Sequence, residues 1–589
     1  MCGIAGMVAR PGRDIPEGLA DRFVKALAHR GPDGQGIHAE QGLLLVQTRL
    51  AIIDLETGDQ PLLGPDGRVL VANGEVYNYR ELRADLPGVP FRSHSDCEPP
   101  LHLYARDGLA FVEALRGMYA IALWDPAHRR LVLTRDPFGI KPLYYVETEV
   151  GLAFASEAQA LVGAGLVAPA MDRPVALELG ALQFTCGAET IFPGVTRVLP
   201  GETLVVENGS ISARHHRAAL PETQPSPRTN VPNPADPIAA LDAVFEQSID
   251  LHQRSDVPYG LFLSGGIDSS AVLAMMARLN DRPVLAFTAG FPGTGAHDER
   301  MEAREAAKAV GAEHVEVSVT EADFLAHLPA IAACVDDPVA DYAIIPTWML
   351  AREARKSVKV VLCGEGGDEL LGGYGRYRGA MRPWPLTRPL RRTGLLEGLG
   401  LYREPPTGLR DGIARAERLA KAQGGSRLIR AQRVDCTDWL PHDLLNKLDR
   451  CLMAHGVEGR VPFLDMGMAR FCLPLADRLK VRDGKGKWIL RAWLERHLPE
   501  ARPFAPKRGF TVPVGDWIRT HGAKLGPMVA GSPAIEPLYQ PEAVRALFTD
   551  GRKEAGMAAW ILLYQALWHR RHVAGKVPDG DVFHCLADA

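Results

Sequence analysis

The chain has 589 residues and a formal net charge of −4, and 46% of its residues are hydrophobic. This length exceeds one ordinary hydrophobic core, so we expect about two to four domains. The near-neutral charge gives no argument for a nucleic acid or a membrane as partner. The nine cysteines are scattered, without the spacing of a zinc site or a disulfide framework. Since no basic-then-apolar leader is seen and the apolar run at 557–568 is too short to cross a bilayer, we expect a cytoplasmic protein.

The first residues are Met1 and Cys2, followed by a small apolar segment with the character of a buried strand. A cysteine in such a segment is usually a small apolar core residue. If Met1 is removed, Cys2 carries a free α-amine whose unperturbed pKa, about 7.7–8.0, lies near working pH. That amine can act as general base for its own thiol, so Cys2 is a candidate N-terminal nucleophile.

Three further segments could complete an acyl-transfer site. Arg49 stands at the head of an apolar strand, where it could bind a carboxylate through two hydrogen bonds or form a surface ion pair. Asn73 and Gly74 follow an apolar run and could supply an oxyanion hole, although Asn-Gly is more often a hairpin turn. Asp96 offers a carboxylate for a substrate ammonium group. Taken one by one, these residues leave both interpretations open.

A proline-rich segment, residues 218–237, divides the chain. Its composition is typical of an extended linker with little apolar surface to bury. We therefore expect an N-terminal domain over residues 1–217 and a C-terminal domain over residues 238–589. Apolar residues at helical spacing from Ile238 to Ile249 predict a helix at the start of the second domain.

The second domain alternates apolar strands with helical segments, which predicts a parallel sheet with helices on both faces. An apolar strand at 259–263 leads into a Ser-Gly-Gly turn, and good helix formers follow from Ala271. Bare N–H groups and the helix dipole at such a turn can hold an anion. The Gly-Lys-Ser/Thr end of a Walker loop is absent. The hydroxyl groups that could add hydrogen bonds are those of Ser264, Ser269 and Ser270.

A second glycine turn follows the apolar residues 360–363 and carries acidic residues. Ligands of parallel sheets bind at the carboxyl ends of the strands, so we expect the two turns to meet there. Asp268 of the first turn and Asp368 of the second are candidate ligands for Mg²⁺, which prefers carboxylates together with phosphate oxygens and water. Asp368 could instead stabilise a helix N-terminus.

Six N-terminal motifs occur together: Met-Cys-Gly-Ile (1–4), His-Arg-Gly-Pro-Asp (29–33), Arg-Leu-Ala-Ile (49–52), Asn-Gly-Glu-Val-Tyr-Asn (73–78), Ser-Asp-Cys-Glu (95–98) and Arg-Asp-Pro-Phe-Gly-Ile (135–140). They resemble the class II glutamine amidotransferase domain. The resemblance implies an α+β N-terminal-nucleophile fold, a sandwich of antiparallel sheets between helices, that releases ammonia from glutamine. It implies Cys2 as nucleophile and Asn73 with Gly74 as oxyanion hole. The implied glutamine-binding residues are Arg49, Ile52, Ile53, Glu75 and Asp96.

One departure is Pro99-Pro100, where the family usually starts a helix with aliphatic residues. Proline is tolerated in a first helical turn, so we expect the helix start to shift and the site to persist.

Three C-terminal motifs are Ser-Gly-Gly-Ile-Asp-Ser (264–269), Gly-Glu-Gly-Gly-Asp-Glu (364–369) and the string Asp-Arg to Leu-Asp (449–465). They resemble the synthetase domain of the asparagine synthetase family. The resemblance implies an α/β parallel-sheet domain, like that of the adenine-nucleotide α-hydrolases, with a helical C-terminal part. The implied ATP-binding residues are Leu263, Ser264, Gly265, Gly266, Asp268, Ser269, Ser270, Ala289, Cys363 and Gly364. Glu365 is expected to help form an acyl-adenylate, and Lys507 is either a charge-neutralising catalytic residue or an ordinary surface lysine.

Together the resemblances imply that ammonia released at Cys2 passes internally to an aspartate that ATP and Mg²⁺ have converted to its adenylate. Glutamine, aspartate and ATP are then the small-molecule partners, with no nucleic acid and no membrane, and a homodimer stays open. Two alternatives remain. The same chemistry could serve another carboxylate, such as a peptide, an antibiotic precursor or a surface-sugar acid, because the motifs do not define the acceptor pocket. The chain could also be a non-catalytic binding protein, which the intact motifs disfavour.

Overall fold

The structure is a computed structural model that describes residues 2–220, 236–383, 385–506 and 511–587. Most of the predicted linker, at 218–237, lies outside these residues. The strands of the described part are β1 (Gly3–Ala9), β2 (Gly34–Glu40), β3 (Leu43–Arg49), β4 (Leu62–Leu63), β5 (Val69–Val76), β6 (Gly117–Asp125), β7 (Arg130–Arg135), β8 (Tyr144–Glu147), β9 (Gly151–Ala155), β10 (Thr196–Arg197), β11 (Glu202–Glu207), β12 (Ser210–His216), β13 (Tyr259–Phe262), β14 (Leu285–Gly290), β15 (Glu313–Ser318), β16 (Val360–Leu362) and β17 (Glu458–Arg460).

The α-helices of the described residues are more numerous in the second half of the chain. They are α1 (Leu19–Leu27), α2 (Tyr79–Ala84), α3 (Pro99–Asp107), α4 (Ala158–Gly163), α5 (Arg173–Leu182), α6 (Pro237–His252), α7 (Ile267–Leu279), α8 (Arg300–Ala309), α9 (Glu321–Cys334), α10 (Ile344–Ala354), α11 (Gly367–Leu371), α12 (Gly375–Met381), α13 (Asp411–Ala422), α14 (Arg427–Val434), α15 (Leu445–Met453), α16 (Met466–Cys472), α17 (Asp477–Lys480), α18 (Trp488–His497), α19 (Val514–Thr520), α20 (Gly522–Ala530), α21 (Pro541–Leu547), α22 (Lys553–His572) and α23 (Val582–Ala587).

Two six-stranded antiparallel sheets make up the N-terminal part, in the orders β10-β8-β9-β1-β3-β2 and β12-β11-β7-β6-β5-β4. Their facing sides share one apolar core, which includes Ile4 and Leu45 from the first sheet and Val71 and Leu133 from the second. Helices α1 and α4 cover the outer face of the first sheet, and α2 and α3 cover the second. This is the predicted sandwich of antiparallel sheets between helices.

Strand β1 is central in its sheet and pairs antiparallel with β3 and β9. All seven residues of β1 are buried, so the preceding residue, Cys2, is held at the end of a rigid strand. Asn73 and Gly74 lie inside β5, where they pair with Ala120 and Tyr119 of β6. They therefore do not form the hairpin turn that Asn-Gly commonly makes. Helix α3 begins at Pro99, which confirms that proline is tolerated in its first turn.

The second part contains a five-stranded parallel sheet in the order β15-β14-β13-β16-β17. The chain adds β14 and β15 on one side of β13, then returns to add β16 and β17 on the other. The order therefore reverses between β13 and β16, and a crevice opens at their carboxyl ends. Helix α7 follows β13 and α11 follows β16. The helix after β13 begins at Ile267, earlier than the run from Ala271 indicates.

Helices fill most of the chain beyond β16, as predicted, and α22 is a long core helix whose Trp560 and Trp568 are buried. Within the described ranges, no helix has both the length and the apolar character that a membrane span requires.

Candidate active sites

Cys2 lies at the buried start of β1 with 7% of its surface exposed. Its backbone N–H donates to Oδ1 of Asn73 at 3.2 Å, and the backbone N–H of Leu50 hydrogen-bonds the thiol. Burial raises the pKa of the Cys2 thiol. The other amide atom of Asn73, Nδ2, is buried and has no hydrogen-bond partner in the described part of the chain. A donor in that position is suited to an oxyanion that forms beside the thiol.

Gly74 is required by the packing of β5 on β6. Its φ of +145° is a conformation that other residues rarely adopt, and a Cβ added there would lie 2.0 Å from the carbonyl oxygen of Met118. No side chain fits such a contact between paired strands. Gly74 thus allows β5 to remain flat against β6, with Asn73 directed at Cys2.

Two buried carboxylates stand next to this oxyanion site. The backbone N–H of Val76 donates to Oδ2 of Asp96 at 2.7 Å, which ties the Asp96 loop to the end of β5. Burial and then the charge of Asp96 raise the pKa of Glu75 well above its usual value, and burial also raises the pKa of Asp96. Crowded, desolvated carboxylates of this kind favour a cation, so the pair suits a substrate ammonium group.

Arg49 is neither fully buried nor a simple surface residue. Its Nη1 donates to Oδ1 of Asp59 at 2.7 Å, and its Nη2 donates to the carbonyl oxygen of Ile53 at 3.4 Å. Only 9% of the Arg49 side chain is exposed, whereas 82% of the Asp59 side chain is exposed. An exposed carboxylate can yield its place to a substrate carboxylate at little cost. The carbonyl oxygen of Ile52 accepts the N–H of Asp256 at 3.0 Å.

The structure therefore brings the residues predicted for the first site around the end of β1. They are Cys2, Arg49, Ile52, Ile53, Asn73, Gly74, Glu75 and Asp96.

The two glycine turns line one cleft of about 710 Å³ at the carboxyl ends of β13 and β16. The predicted residues that line it are Leu263, Ser264, Gly265, Gly266, Asp268, Ser269, Ala289, Cys363, Gly364, Glu365 and Asp368. Ser270 does not line the cleft, because it is buried in α7. Lys507 lies outside the described residues.

Hydroxyl groups shape the first turn. The backbone N–H of Ser264 donates to Oγ of Ser269 at 3.1 Å, and the N–H of Gly266 donates to Oγ of Ser264 at 3.1 Å. The N–H of Gly265 donates to a carboxylate oxygen of Glu299 at 3.3 Å. An acidic group thus already occupies one of the amide positions at which the sequence predicts an anion.

Asp268 and Asp368 converge on the ammonium group of Lys487, which pairs with Oδ2 of Asp268 and lies 2.7 Å from Oδ1 of Asp368. Gly367 permits this approach, because a Cβ there would lie 2.4 Å from Oδ1 of Asp268. Two carboxylates that share one cation, beside a predicted phosphate site, fit the oxygen ligands that Mg²⁺ prefers.

Lys487 is a functional candidate that the sequence does not single out. It stands in a Gly-Lys-Gly-Lys run in which Lys485 also follows a glycine. In the structure its φ is +57°, an uncommon conformation for a residue with a side chain, and this directs it into the cleft. Only the fold distinguishes the two lysines.

Arg30 connects the first site to the second half of the chain. It is fully buried, its Nε donates to the carbonyl oxygen of Cys2 at 3.2 Å, and its Nη1 donates to Oδ2 of Asp449 at 2.8 Å. The next residue, Arg450, donates to Asp449 at 2.9 Å and to Asp336 at 2.6 Å. The motifs contain Arg30, Asp449 and Arg450 but not Asp336, and nothing in the sequence shows that these residues meet.

Comparisons with known proteins cover both halves of the chain. Residues 1–217 match the family model described as glutamine amidotransferase domain, and residues 240–570 match the one described as asparagine synthase. The chain is 36% identical to a putative glutamine-hydrolysing asparagine synthetase of Mycobacterium tuberculosis, over 98% of each chain. It is 30% identical to asparagine synthetase 1 of Bacillus subtilis over 99% of each chain. It is also 30% identical to asparagine synthetase B of Escherichia coli, over 88% of this chain and 84% of that protein. With two sites of the expected composition and relatives that match from end to end, the chain belongs to the asparagine synthetase family.

Proposed function

We propose that the protein makes asparagine from aspartate, with glutamine as nitrogen donor and with ATP converted to AMP and pyrophosphate. One observation carries the proposal. A single chain holds Cys2 beside Asn73, whose Nδ2 has no hydrogen-bond partner among the described residues, and its second half holds a cleft built from two glycine turns with converging carboxylates. The boundaries at residues 217 and 238 are part of this proposal.

At the first site, the thiol of Cys2 attacks the side-chain amide carbon of glutamine. The free α-amine, present once Met1 is removed, takes the thiol proton and returns it to the departing ammonia. Nδ2 of Asn73 donates to the oxyanion, and water then hydrolyses the thioester to glutamate. Arg49 holds the α-carboxylate of glutamine, and Asp96 with Glu75 holds its α-ammonium group.

At the second site, the side-chain carboxylate of aspartate attacks the α-phosphorus of ATP and displaces pyrophosphate. Ammonia then attacks the acyl carbon and displaces AMP. The first glycine turn holds phosphate oxygens, and Glu365, which lines the same cleft, assists the carboxylate in forming the acyl-adenylate. Asp268 and Asp368 would hold Mg²⁺, which neutralises phosphate charge when it is bound. The names of the relatives state no oligomeric state, so a homodimer is not part of the proposal.

Product analysis with glutamine, ATP, Mg²⁺ and aspartate tests this proposal. We expect asparagine, glutamate, AMP and pyrophosphate in equal amounts. The Cys2→Ala variant should lose glutamine-dependent synthesis by about 10³-fold or more, because the nucleophile is gone, and should keep ammonia-dependent synthesis.

Cys472→Ala is the matched control, because Cys472 is equally buried but lies in α16, outside both sites. Glutaminase activity that survives Cys2→Ala would refute the first site. A panel of other carboxylic acids runs in parallel, and amidation of one of them in preference to aspartate would replace the proposed acceptor.

A further inference from the structure

The charged side chains of the cleft have an order. Lys487 is paired with Asp268 and Asp368 at the glycine turns. Lys447, on α15, lines the same cleft but pairs with another carboxylate, Asp341. Glu365 follows the second glycine turn and lines the same cleft. Burial raises the pKa of Glu365, the nearby Lys447 cation lowers it, and the Asp268 carboxylate raises it, so Glu365 neighbours both Lys447 and the glycine turns. Glu365 is thus the neighbour that links the glycine turns to Lys447 along the cleft.

Lys447 has the properties of a binding group. Its side chain is only 6% exposed, and its Nζ donates to Oδ2 of Asp341 at 2.5 Å. Burial alone would lower the pKa of Lys447, but the nearby Asp341, Asp443 and Glu365 carboxylates raise it, so the group stays charged. An ammonium group has three N–H donors, and Asp341 uses one of them. The other two N–H donors of Lys447 belong to the same buried cation at the cleft wall, where a ligand can accept them.

The inference rests on the proposed function, which assigns the phosphates to the glycine turns and the reacting carboxylate to Glu365. While the acyl-adenylate forms, the departing pyrophosphate, the α-phosphate, the acyl carbon and the rest of the acid follow one another. With the phosphates at the glycine turns and the acyl carbon at Glu365, the remainder of the acid extends toward Lys447. In aspartate that remainder carries the α-carboxylate, separated from the reacting carboxylate by two carbons.

We propose that Lys447, held in place by Asp341, binds the α-carboxylate of the acceptor and selects dicarboxylic acids with this two-carbon spacing. Charge-assisted hydrogen bonds to a carboxylate are the strongest of those available to the acceptor here. Lys447 is thus the residue that distinguishes aspartate from acids with only one carboxylate, and Asp341 is a positioning residue.

The test compares two acceptors that differ in one group. β-Alanine is aspartate without its α-carboxylate, and it keeps the reacting carboxylate and the amine. AMP formation is measured with ammonia as nitrogen donor, so the first site plays no part. In Lys447→Met we expect kcat/KM for aspartate to fall by about 10- to 100-fold, mainly through KM, while kcat/KM for β-alanine changes less than about 3-fold. The KM for ATP should also change by less than about 3-fold.

Lys480→Met is the matched control, because Lys480 is equally buried and bonds to Gln432 instead of lining the cleft. Lys447→Arg, which keeps the charge, should recover part of the aspartate preference. If Lys447→Met does not fold, as judged by thermal unfolding, Lys447→Gln provides the same comparison.

The outcomes separate the two proposals. Equal losses for aspartate and β-alanine in the Lys447 variants, or an unchanged KM for aspartate, overturn the role of Lys447 and leave the proposed function intact. Failure of the wild-type protein to form AMP from aspartate overturns the proposed function itself, and the inference with it.

Discussion

Single buried polar groups give both sites their chemical character. At the first site the two amide atoms of Asn73 differ, since Oδ1 accepts the backbone N–H of Cys2 and Nδ2 is buried without a hydrogen-bond partner in the described residues. At the second site Asp268 and Asp368 hold one lysine between them. In a low-dielectric interior such groups interact strongly and are costly to leave unpaired, so each is sensitive to a one-atom change.

Asp268→Asn is such a change, because it keeps the size of the side chain and removes its charge. We expect ATP turnover to fall by about 10²-fold with glutamine and with ammonia alike, since Lys487 loses an ion-pair partner and the proposed Mg²⁺ site loses a ligand. The measurement is pyrophosphate release, with glutamine hydrolysis followed separately as evidence that the first site is intact. Asp250→Asn, on the exposed side of α6, is the control. Turnover close to that of the wild type would contradict the role of Asp268.

Residue roles could be predicted where a motif names the residue and its chemistry together. Cys2, Asn73 and Asp268 are of this kind, and the structure places them as the motifs suggest. Lys487 and Lys447 could not be predicted, because a lysine becomes a site residue only through the carboxylates that approach it in space. Ser270 is the opposite case: its hydroxyl group belongs to the motif, but the residue is buried and does not line the cleft.

At the scale of elements, strand β5 carries more of the first site than any other. It runs unbroken through Asn73, Gly74 and Glu75, and its pairing with β6 positions all three. Periodicity predicts the apolar start of this strand but not its continuation, since Asn-Gly is more common in turns. The strands that flank the synthetase cleft are found within a residue or two of their predicted positions, because buried parallel strands appear as short apolar runs.

Gly74→Ala tests how tightly β5 is packed. The added methyl group would meet the Met118 carbonyl oxygen at 2.0 Å, and the backbone would be strained as well. We expect a loss of about 3 kcal/mol or more in the free energy of unfolding of the first domain, and loss of glutaminase activity. Denaturant unfolding and ammonia release measure these two quantities.

Gly88→Ala separates the two causes, because Gly88 also has a positive φ, of +81°, but has open space where the methyl group would go. That variant should lose only about 1 kcal/mol and keep its activity. Similar losses in both variants would show that backbone strain, and not the contact with Met118, explains the Gly74 effect.

At the scale of the whole molecule, a buried charge network joins the two halves. Arg30 contacts Cys2 and Asp449, which lies 419 positions away along the chain, and Arg450 extends the contacts to Asp336. The order of the domains could be predicted from the order of the motifs. The contact between the domains could not be predicted, because from the sequence Arg30 and Asp449 could each be an ordinary surface residue. Only the fold brings them together.

Asp449→Ala removes one partner of the buried Arg30 guanidinium. Truncating one member of a buried ion pair typically costs about 3–5 kcal/mol, and we expect that loss in the free energy of unfolding. Glutamine hydrolysis should fall too, because Arg30 also holds the carbonyl group of Cys2. Lys359→Met is the control: its pair with Asp33 also crosses between the halves, at 2.8 Å, but is partly exposed and should contribute less than about 1 kcal/mol. Equal effects of the two variants would contradict the importance of the buried network.

Helix α15 presents Lys447 to the cleft and, half a turn later, Asp449 to Arg30. Its nine residues span only about 14 Å, so a register error in this one helix would disturb both reactions at once. A chimera could join the glutaminase domain of one relative to the synthetase domain of another. Its success would depend less on the position of the junction than on one contact: the synthetase helix must offer an acid, as Asp449 does here, to the glutaminase arginine that corresponds to Arg30.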